Sequence, residues 1–530
     1  MNYTAKKLSF DELKFEDGSS SSSSSSSPNY SDYEYDNNNE DNDEYSDSYE
    51  HSQNSPGYIV DEEEDDEENE EEDNVSTVNQ NKEFLLKIPQ IIKDINSTDE
   101  KTLLSAVTAI RKALSIVNNA PIDLVIQYGF VPKLILLLHS PNPNIAEEAC
   151  WSLTNIASGT AENCNYIIEY GVSQNLFMLL EGPDSKVAIQ STWCIGNIAG
   201  DSLTNRDKIL EIGVLRPIIN QLLNHKSLPV SHVQHCTWSL SNLFRGKPRP
   251  PQHYIRSIYK VLEIMIHYTA SEDALIDTLW TLSHITDASN EAIEEIMQIP
   301  GLVSKVMEYI GFEYSLKILT PSLRVVGNFL TGDDTQTQRL LDLGVIPVLK
   351  ILITKSSTEV IKESIWALSN ITSGNQIQIQ QVIDSNILPT IVAILLSPKV
   401  NRTIKTEATW ALSNALVGSS KTQATYFVYT LDIVRVFCKA IHETDSAQMA
   451  SLLVEGLSCV AKNGCIKGGD SDGPAAQSNN LFIKQFEEVS YMETVMEELE
   501  DRGYMDDSMH NLLSDTSFYL YGVTLLNTVH

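Results

Sequence analysis

The chain has 530 residues and a formal net charge of −35 at pH 7. Residues 1–80 hold 25 Asp and Glu against three Lys, a net of −22, and the remaining residues still carry a net of −13. Because binding to phosphates requires many Lys and Arg side chains, this balance argues against a nucleic-acid-binding protein, and no apolar run is long enough to predict a membrane segment.

Residues 1–80 form a low-complexity segment. A serine run at 19–27 leads into Tyr-, Asp-, Asn- and Glu-rich sequence and then into DEEEDDEENEEED at 61–73. Such a segment cannot bury enough apolar surface to offset the entropy of ordering, so we predict a disordered acidic, Ser-rich tail. The first residues, MNYTAKKLSF, lack the apolar core of a secretory signal, which favours an intracellular protein.

From about Lys82 onward, tryptophan recurs at a regular interval. The six tryptophans are spaced by 42, 45, 42, 86 and 44 residues, and Arg324 stands where the double interval lacks one. A polar residue follows each of these seven markers by four positions. We call each such pair a rung: Trp151–Asn155, Trp193–Asn197, Trp238–Asn242, Trp280–His284, Arg324–Asn328, Trp366–Asn370 and Trp410–Asn414. A repeat of this length predicts a stack of similar units.

Two further series of residues share this period. Residues suited to left-handed backbone precede six of the rungs by 22 to 25 positions, at Gly129, Gly171, Gly213, Gly301, Gly344 and Asn386. Another glycine series follows the rungs and is expected to end the helix that carries them. Each unit therefore comprises one helix, a second apolar helix such as 131–138, and a third helix with the rung.

The three-helix unit is typical of armadillo repeats. We predict an all-α, right-handed armadillo-repeat solenoid of about ten repeats. Residues 81–463 form its main part, 464–480 a flexible loop, and 481–530 a capping repeat. No C-x-x-C pair occurs among the seven cysteines, so neither a metal nor a cofactor is expected.

The rungs predict a groove that binds peptides. Positions i and i+4 share a helix face, so both residues of a rung point the same way. Asparagine amides can hold the backbone of an extended peptide, and indole faces favour the stems and charges of Lys and Arg. We expect nearby carboxylates to meet those charges: Asp201, Asp277, Asp287, Asp334 and Glu407. The alternative is that the tryptophans only anchor the core.

At the rungs, the sequence resembles importin α, the nuclear-import adaptor. The resemblance rests on the segments WSLTNIASGT, WCIGNIAGD, WSLSNLFRGK, RVVGNFLTGDDTQTQ, WALSNITSGNQIQIQ and WALSNALVG, and it covers about residues 83–529. It implies two sites for basic nuclear localisation signals. The implied major site comprises Trp151, Asn155, Gly159, Cys164, Trp193, Asn197, Asp201, Trp238 and Asn242, with Asp201 pairing with the signal's key lysine. The implied minor site comprises Asp277, Trp280, Asp287, Arg324, Asn328, Asp334, Trp366, Asn370, Glu407, Trp410 and Asn414.

The resemblance also implies partners, and two departures from the family pattern stand out. The family binds importin β through a basic N-terminal helix and an export receptor through its C-terminal repeat, and it shuttles between cytoplasm and nucleus. Here only three lysines precede Lys82, so that basic helix has no counterpart among residues 1–81. Cys164 stands where the family usually has a threonine near the key lysine.

Two functions therefore stay open at the level of sequence. One is an import adaptor for basic signals; the other is a cytoplasmic scaffold or chaperone for basic segments that no longer couples to importin β. A catenin-like scaffold for acidic partners would need a groove rich in Lys and Arg. The chain carries no P-loop, G-x-S-x-G or H-E-x-x-H motif, so we do not expect an enzyme.

Overall fold

The structure is a computed structural model that describes residues 68–522, except 117–118, 183–184, 312 and 466–479, together with residue 524. The predicted flexible loop lies almost wholly outside the described residues, as do residues 1–67 of the predicted tail. Helix α1 begins at Glu68, within the segment 1–80 that we predicted to be disordered. The described residues fall into two units that divide within α5, after Asn155.

The N-terminal unit, described from residue 68 to 155, is helical. Its helices are α1 (Glu68–Asp94), α2 (Glu100–Leu114), α3 (Ile122–Gln127), α4 (Phe130–Leu137) and the greater part of α5 (Pro143–Ala157). Its core consists of apolar side chains such as Ile110, Val131 and Leu134, which are fully buried.

The C-terminal unit contains eight further groups of three helices among its described residues. The first four groups are α6 (Ala161–Glu169), α7 (Val172–Leu180), α8 (Ser185–Asp201); α9 (Leu203–Ile212), α10 (Leu215–Leu223), α11 (Val230–Phe244); α12 (Gln252–Ser257), α13 (Tyr259–Met265), α14 (Glu272–Thr286); and α15 (Asn290–Met297), α16 (Leu302–Tyr309), α17 (Leu316–Leu330). The last four are α18 (Asp334–Asp342), α19 (Val345–Lys355), α20 (Thr358–Thr372); α21 (Gln376–Asp384), α22 (Leu388–Leu396), α23 (Arg402–Gly418); α24 (Lys421–Tyr429), α25 (Ile433–Glu443), α26 (Ala447–Gly464); and α27 (Ile483–Glu488), α28 (Tyr491–Asp501), α29 (Asp507–Tyr521).

The turn between the first and second helix of a repeat needs left-handed backbone. All six residues predicted for this role have positive φ, from 54° at Asn386 to 95° at Gly213. A side chain with a Cβ is strained there, whereas glycine and, to a lesser degree, asparagine tolerate it. The prediction of these turns is therefore confirmed.

The first helices of several repeats begin at capping boxes. Thr160, Asp333, Asn375 and Ser420 each accept a hydrogen bond from the backbone N–H three residues later, and the residue at that position bonds back to the cap. These bonds satisfy donors that the first helical turn leaves unpaired. The start of each repeat is thus set locally, ahead of any packing between repeats.

In the C-terminal unit, the third helices pack against one another in chain order, from α8 through α11, α14, α17, α20, α23 and α26 to α29. The described residues contain no strand, and the predicted all-α armadillo fold is confirmed. Within that part of the chain, no single helix has the length and apolar character needed to cross a membrane; only α21 and α22 taken together, at a bend of 80°, meet that test.

Candidate peptide-binding site

The rungs lie on the third helices, as the repeat predicts. Six of them occupy α8, α11, α14, α17, α20 and α23 of the C-terminal unit, and Trp151 with Asn155 occupies α5 of the N-terminal unit. Because consecutive third helices contact each other in the C-terminal unit, its six rungs follow one another across neighbouring repeats. Gly159 lies in the exposed turn after α5.

The asparagines of the C-terminal unit join each repeat to the one before it. In four rungs the side-chain Nδ2 donates to a backbone carbonyl of the preceding third helix: Asn242 to Gly196 (3.1 Å), Asn328 to Ser283 (3.0 Å), Asn370 to Gly327 (3.5 Å) and Asn414 to Ser369 (3.2 Å). Each acceptor stands three residues after the preceding marker. The sequence argument treated asparagine as a poor core residue, but these four are buried because neighbouring repeats supply a partner.

The residue that supplies this carbonyl is always small, because the next rung lies against it. A Cβ added at Gly196 would lie 2.2 Å from Cζ3 of Trp238, and one added at Gly327 would lie 2.0 Å from Cζ3 of Trp366. The corresponding residues of the other C-terminal-unit rungs are all serines: Ser241, Ser283, Ser369 and Ser413. Sequence reasoning missed this series, although a small residue three positions after each marker was visible in it.

Indole faces in both units already contact cations or imidazoles of the chain. In the C-terminal unit, the guanidinium carbon of Arg324 lies 5.6 Å from the ring centre of Trp280, and His235 stacks on Trp193 at 5.0 Å. Burial, with His232 nearby, lowers the pKa of His235 to about 4, so this imidazole is neutral at pH 7. The indoles therefore offer faces on which a flat or cationic group packs.

The N-terminal unit repeats this arrangement at its own rung. The guanidinium carbon of Arg111 lies 4.6 Å from the ring centre of Trp151, and its Nε donates to Glu148 at 2.7 Å. The side chain of Asn155 donates to Ser115 at 3.0 Å. Arg111 and Ser115 are four residues apart and precede Trp151 and Asn155 by 40 positions, so they form an earlier rung that sequence reasoning did not recognise.

The rungs differ in their accessibility. The indoles of Trp151, Trp193, Trp238 and Trp280 are partly exposed. By contrast, Trp366 is 1% exposed and Trp410 is 8% exposed, and their partners Asn370 and Asn414 are 0% and 3% exposed. The rungs on α20 and α23 are thus enclosed by their own repeats, whereas those on α8 and α11 present part of their ring surface.

Asp201 is the carboxylate beside the partly exposed rungs. It lies at the end of α8, four residues after Asn197, where it is half-buried and accepts a hydrogen bond from Asn205 at 2.7 Å. Cys164 on α6 lies close enough for electrostatic interaction with it and is fully buried. Burial and the charge of Asp201 raise the pKa of this thiol to about 12, so the thiol is neutral at pH 7.

The other predicted carboxylates already have partners within the chain. Asp287 forms salt bridges with Lys247 (3.0 Å) and Arg249 (2.8 Å). Asp277 accepts from Thr237 at 3.2 Å, and burial raises its pKa well above its usual value. Asp334 is exposed and accepts from Asn375 at 3.0 Å. Their placement as ligands for a basic peptide stays a prediction.

Glu407 on α23 is a buried acid. It is 2% exposed, and burial raises its pKa to about 8, with Lys362 opposing and Glu363 adding to the shift. Because the pKa is higher in the folded chain than in the unfolded one, this acid favours folding at low pH and loses that effect as the pH rises towards 8.

This titration predicts a pH-dependent effect of the Glu407→Gln variant. At pH 5 both side chains are neutral, so we expect similar melting temperatures for the variant and the wild type. At pH 8.5 the wild type must bury a charge, and we expect the variant to be more stable by up to about 4 kcal/mol. Thermal denaturation at both pH values measures this, with Glu181→Gln at an exposed site as control. An equal difference at both pH values would contradict the buried neutral acid.

Comparison with known proteins places the chain in a family. Residues 118–158, 333–373 and 375–417 match the armadillo/β-catenin-like repeat family. Over 259 residues the chain is 42% identical to importin subunit alpha-B of Dictyostelium discoideum, and the match covers 49% of each protein. The chain belongs to the importin α family. It is also 38% identical over 281 residues to importin subunit alpha-3 of Arabidopsis thaliana, which covers 53% of this chain and 51% of that relative.

This importin α chain spans about half the length of the curated relatives that it matches. Among solved structures, an engineered protein aligns with a TM-score of 0.69 at 22% identity, covering 81% of this chain and 98% of that one. At this level of identity the similarity supports the fold alone.

Proposed function

We propose that this importin α chain binds extended, lysine- or arginine-rich peptides on the rungs of α8 and α11, and that it acts as an adaptor for the import of the proteins that display them. The observation that carries the proposal is the half-buried carboxylate of Asp201 beside two partly exposed rungs, Trp193–Asn197 and Trp238–Asn242. A lysine whose stem packs on the indoles can bring its ammonium to that carboxylate.

The dimensions of the repeat fit an extended chain. Neighbouring helices pack about 8–10 Å apart and an extended peptide advances about 3.3 Å per residue, so each rung meets two or three peptide residues. Arg324 over Trp280 is an internal example of the contact that an incoming basic side chain would make. Such a contact contributes on the order of 0.5–2 kcal/mol.

Peptide binding is tested by calorimetric titration of a lysine-rich peptide into the wild type and the Trp193→Ala variant. Loss of one stacking face is expected to weaken binding about tenfold. Tyr170→Ala serves as control, because Tyr170 is an exposed aromatic residue at the end of α6, outside the third helices. The proposal fails if the wild type does not bind the peptide or if the two variants behave alike.

The transport step and its partners belong to the same proposal. As an adaptor the chain would pass between cytoplasm and nucleus, couple to importin β on the way in, and use its last repeat, α27–α29, for an export receptor. The acidic composition of residues 1–80 favours the alternative of a cytoplasmic scaffold for basic segments. A reporter with a basic signal distinguishes them: import that depends on both this chain and importin β supports the adaptor, and retention in the cytoplasm supports the scaffold.

A further inference from the structure

The rungs on α20 and α23 differ from those on α8 and α11 in what surrounds their rings. Trp366 is buried against the backbone of α17, where its ring occupies the space that a Cβ at Gly327 would need. Trp410 on the next repeat is also buried. A lysine or arginine stem packs on an indole only where part of the ring is accessible, as it is at Trp193 and Trp238.

The asparagines of these two rungs are equally enclosed. Asn370 and Asn414 are buried, and each directs its Nδ2 to a backbone carbonyl of the preceding third helix. To reach either amide, a peptide backbone would have to separate α17 from α20 or α20 from α23. Protein interiors resist such separation because it opens voids and exposes apolar surface.

The charged groups between these rungs are also engaged within the chain. Glu363 is buried and forms an ion pair with Arg324 at 3.4 Å. Glu407 is buried, with its pKa raised to about 8, so it is mainly neutral at pH 7. Lys362 lies near enough to Glu407 to act on its titration. An incoming basic side chain would therefore meet a neutral acid and the positive charges of Lys362 and Arg324.

We propose that this chain recognises a single basic cluster, on the rungs of α8 and α11, and that the rungs on α20 and α23 are closed to a second cluster. The substrate class is then a peptide with one lysine-rich segment. This proposal rests on the proposed peptide binding, and it departs from the two-site arrangement that the family resemblance implies. The closed rungs join repeats to each other.

The test compares two peptides of equal length by fluorescence anisotropy. One carries a single lysine-rich cluster, and the other carries a second basic cluster about ten residues upstream; the first peptide has neutral residues at those positions. For the wild type, we expect the two dissociation constants to agree within twofold. A peptide with two clusters that binds more than tenfold tighter would overturn the proposal.

The Trp193→Ala variant provides a second readout with the same peptides. If only one cluster is recognised, the variant weakens both peptides by the same factor. If the second cluster has its own site, the two-cluster peptide keeps most of its affinity in the variant, which would also overturn the proposal. Failure of the single-cluster peptide to bind the wild type would instead refute the proposed function itself, so the two failures are distinguishable.

Discussion

The Gly327→Ala variant is expected to lose stability, although the same change in most helices is stabilising. Alanine normally favours a helix over glycine by roughly 0.5–1 kcal/mol. At Gly327 the new Cβ would lie 2.0 Å from Cζ3 of Trp366, and that ring is fully buried and has no room to retreat. The contact must push α17 and α20 apart, which also lengthens the bond from Asn370 to the Gly327 carbonyl. We expect a net loss of about 2–3 kcal/mol.

Thermal denaturation and tryptophan emission measure this effect together. The melting temperature should fall, and emission should shift to longer wavelength as Trp366 becomes solvated. Gly200→Ala is the matched control, since Gly200 is an exposed helical glycine whose added Cβ would come no closer than 3.3 Å, to Nδ2 of Asn242. Equal melting temperatures for Gly327→Ala and the wild type would show that the two helices are not in close contact.

Charge reversal at Asp201 is expected to have the largest effect on peptide binding. Asp201→Lys places a cation beside Trp193 and Asn197, where we propose that the ammonium of a peptide lysine lies. Removing one partner of a partly buried ion pair typically costs about 2–5 kcal/mol, which corresponds to at least a thirtyfold loss of affinity. Asp201→Asn keeps a group that accepts from Asn205 but removes the charge, so we expect an intermediate loss.

Calorimetry with a lysine-rich peptide measures both Asp201 variants, and circular dichroism verifies that they fold. Asp334→Asn serves as control, because Asp334 is an exposed carboxylate on α18, outside the third helices. If Asp201→Lys binds the peptide as tightly as Asp334→Asn does, the ammonium does not lie at Asp201, and the peptide must bind elsewhere.

Much of the fold followed from residue spacing. The interval between tryptophans predicted the repeat, and the period of the glycines predicted the left-handed turns, including the one at Asn386. These features depend on one residue and its local backbone, so they are visible in a single sequence. The rung as a helical pair at i and i+4 was predictable for the same reason.

What sequence reasoning missed depends on the distance between neighbouring helices. Periodicity shows which residues share a face, but it does not show how closely the next helix approaches that face. The burial of Trp366 and the bond from Asn414 to Ser369 both result from such close approach. The contact of Arg111 with Trp151 also lies between repeats, and Arg111 was overlooked because its rung lacks a tryptophan.

The central claim is that the partly exposed rungs on α8 and α11 bind a basic peptide. A crystal structure of the chain with a bound lysine-rich peptide tests it most directly. We predict an extended peptide along these rungs, with one lysine stem packed between Trp193 and Trp238 and its ammonium in contact with the carboxylate of Asp201. A peptide bound along α20 and α23 instead, with the rings of Trp366 and Trp410 opened to receive it, would contradict this account.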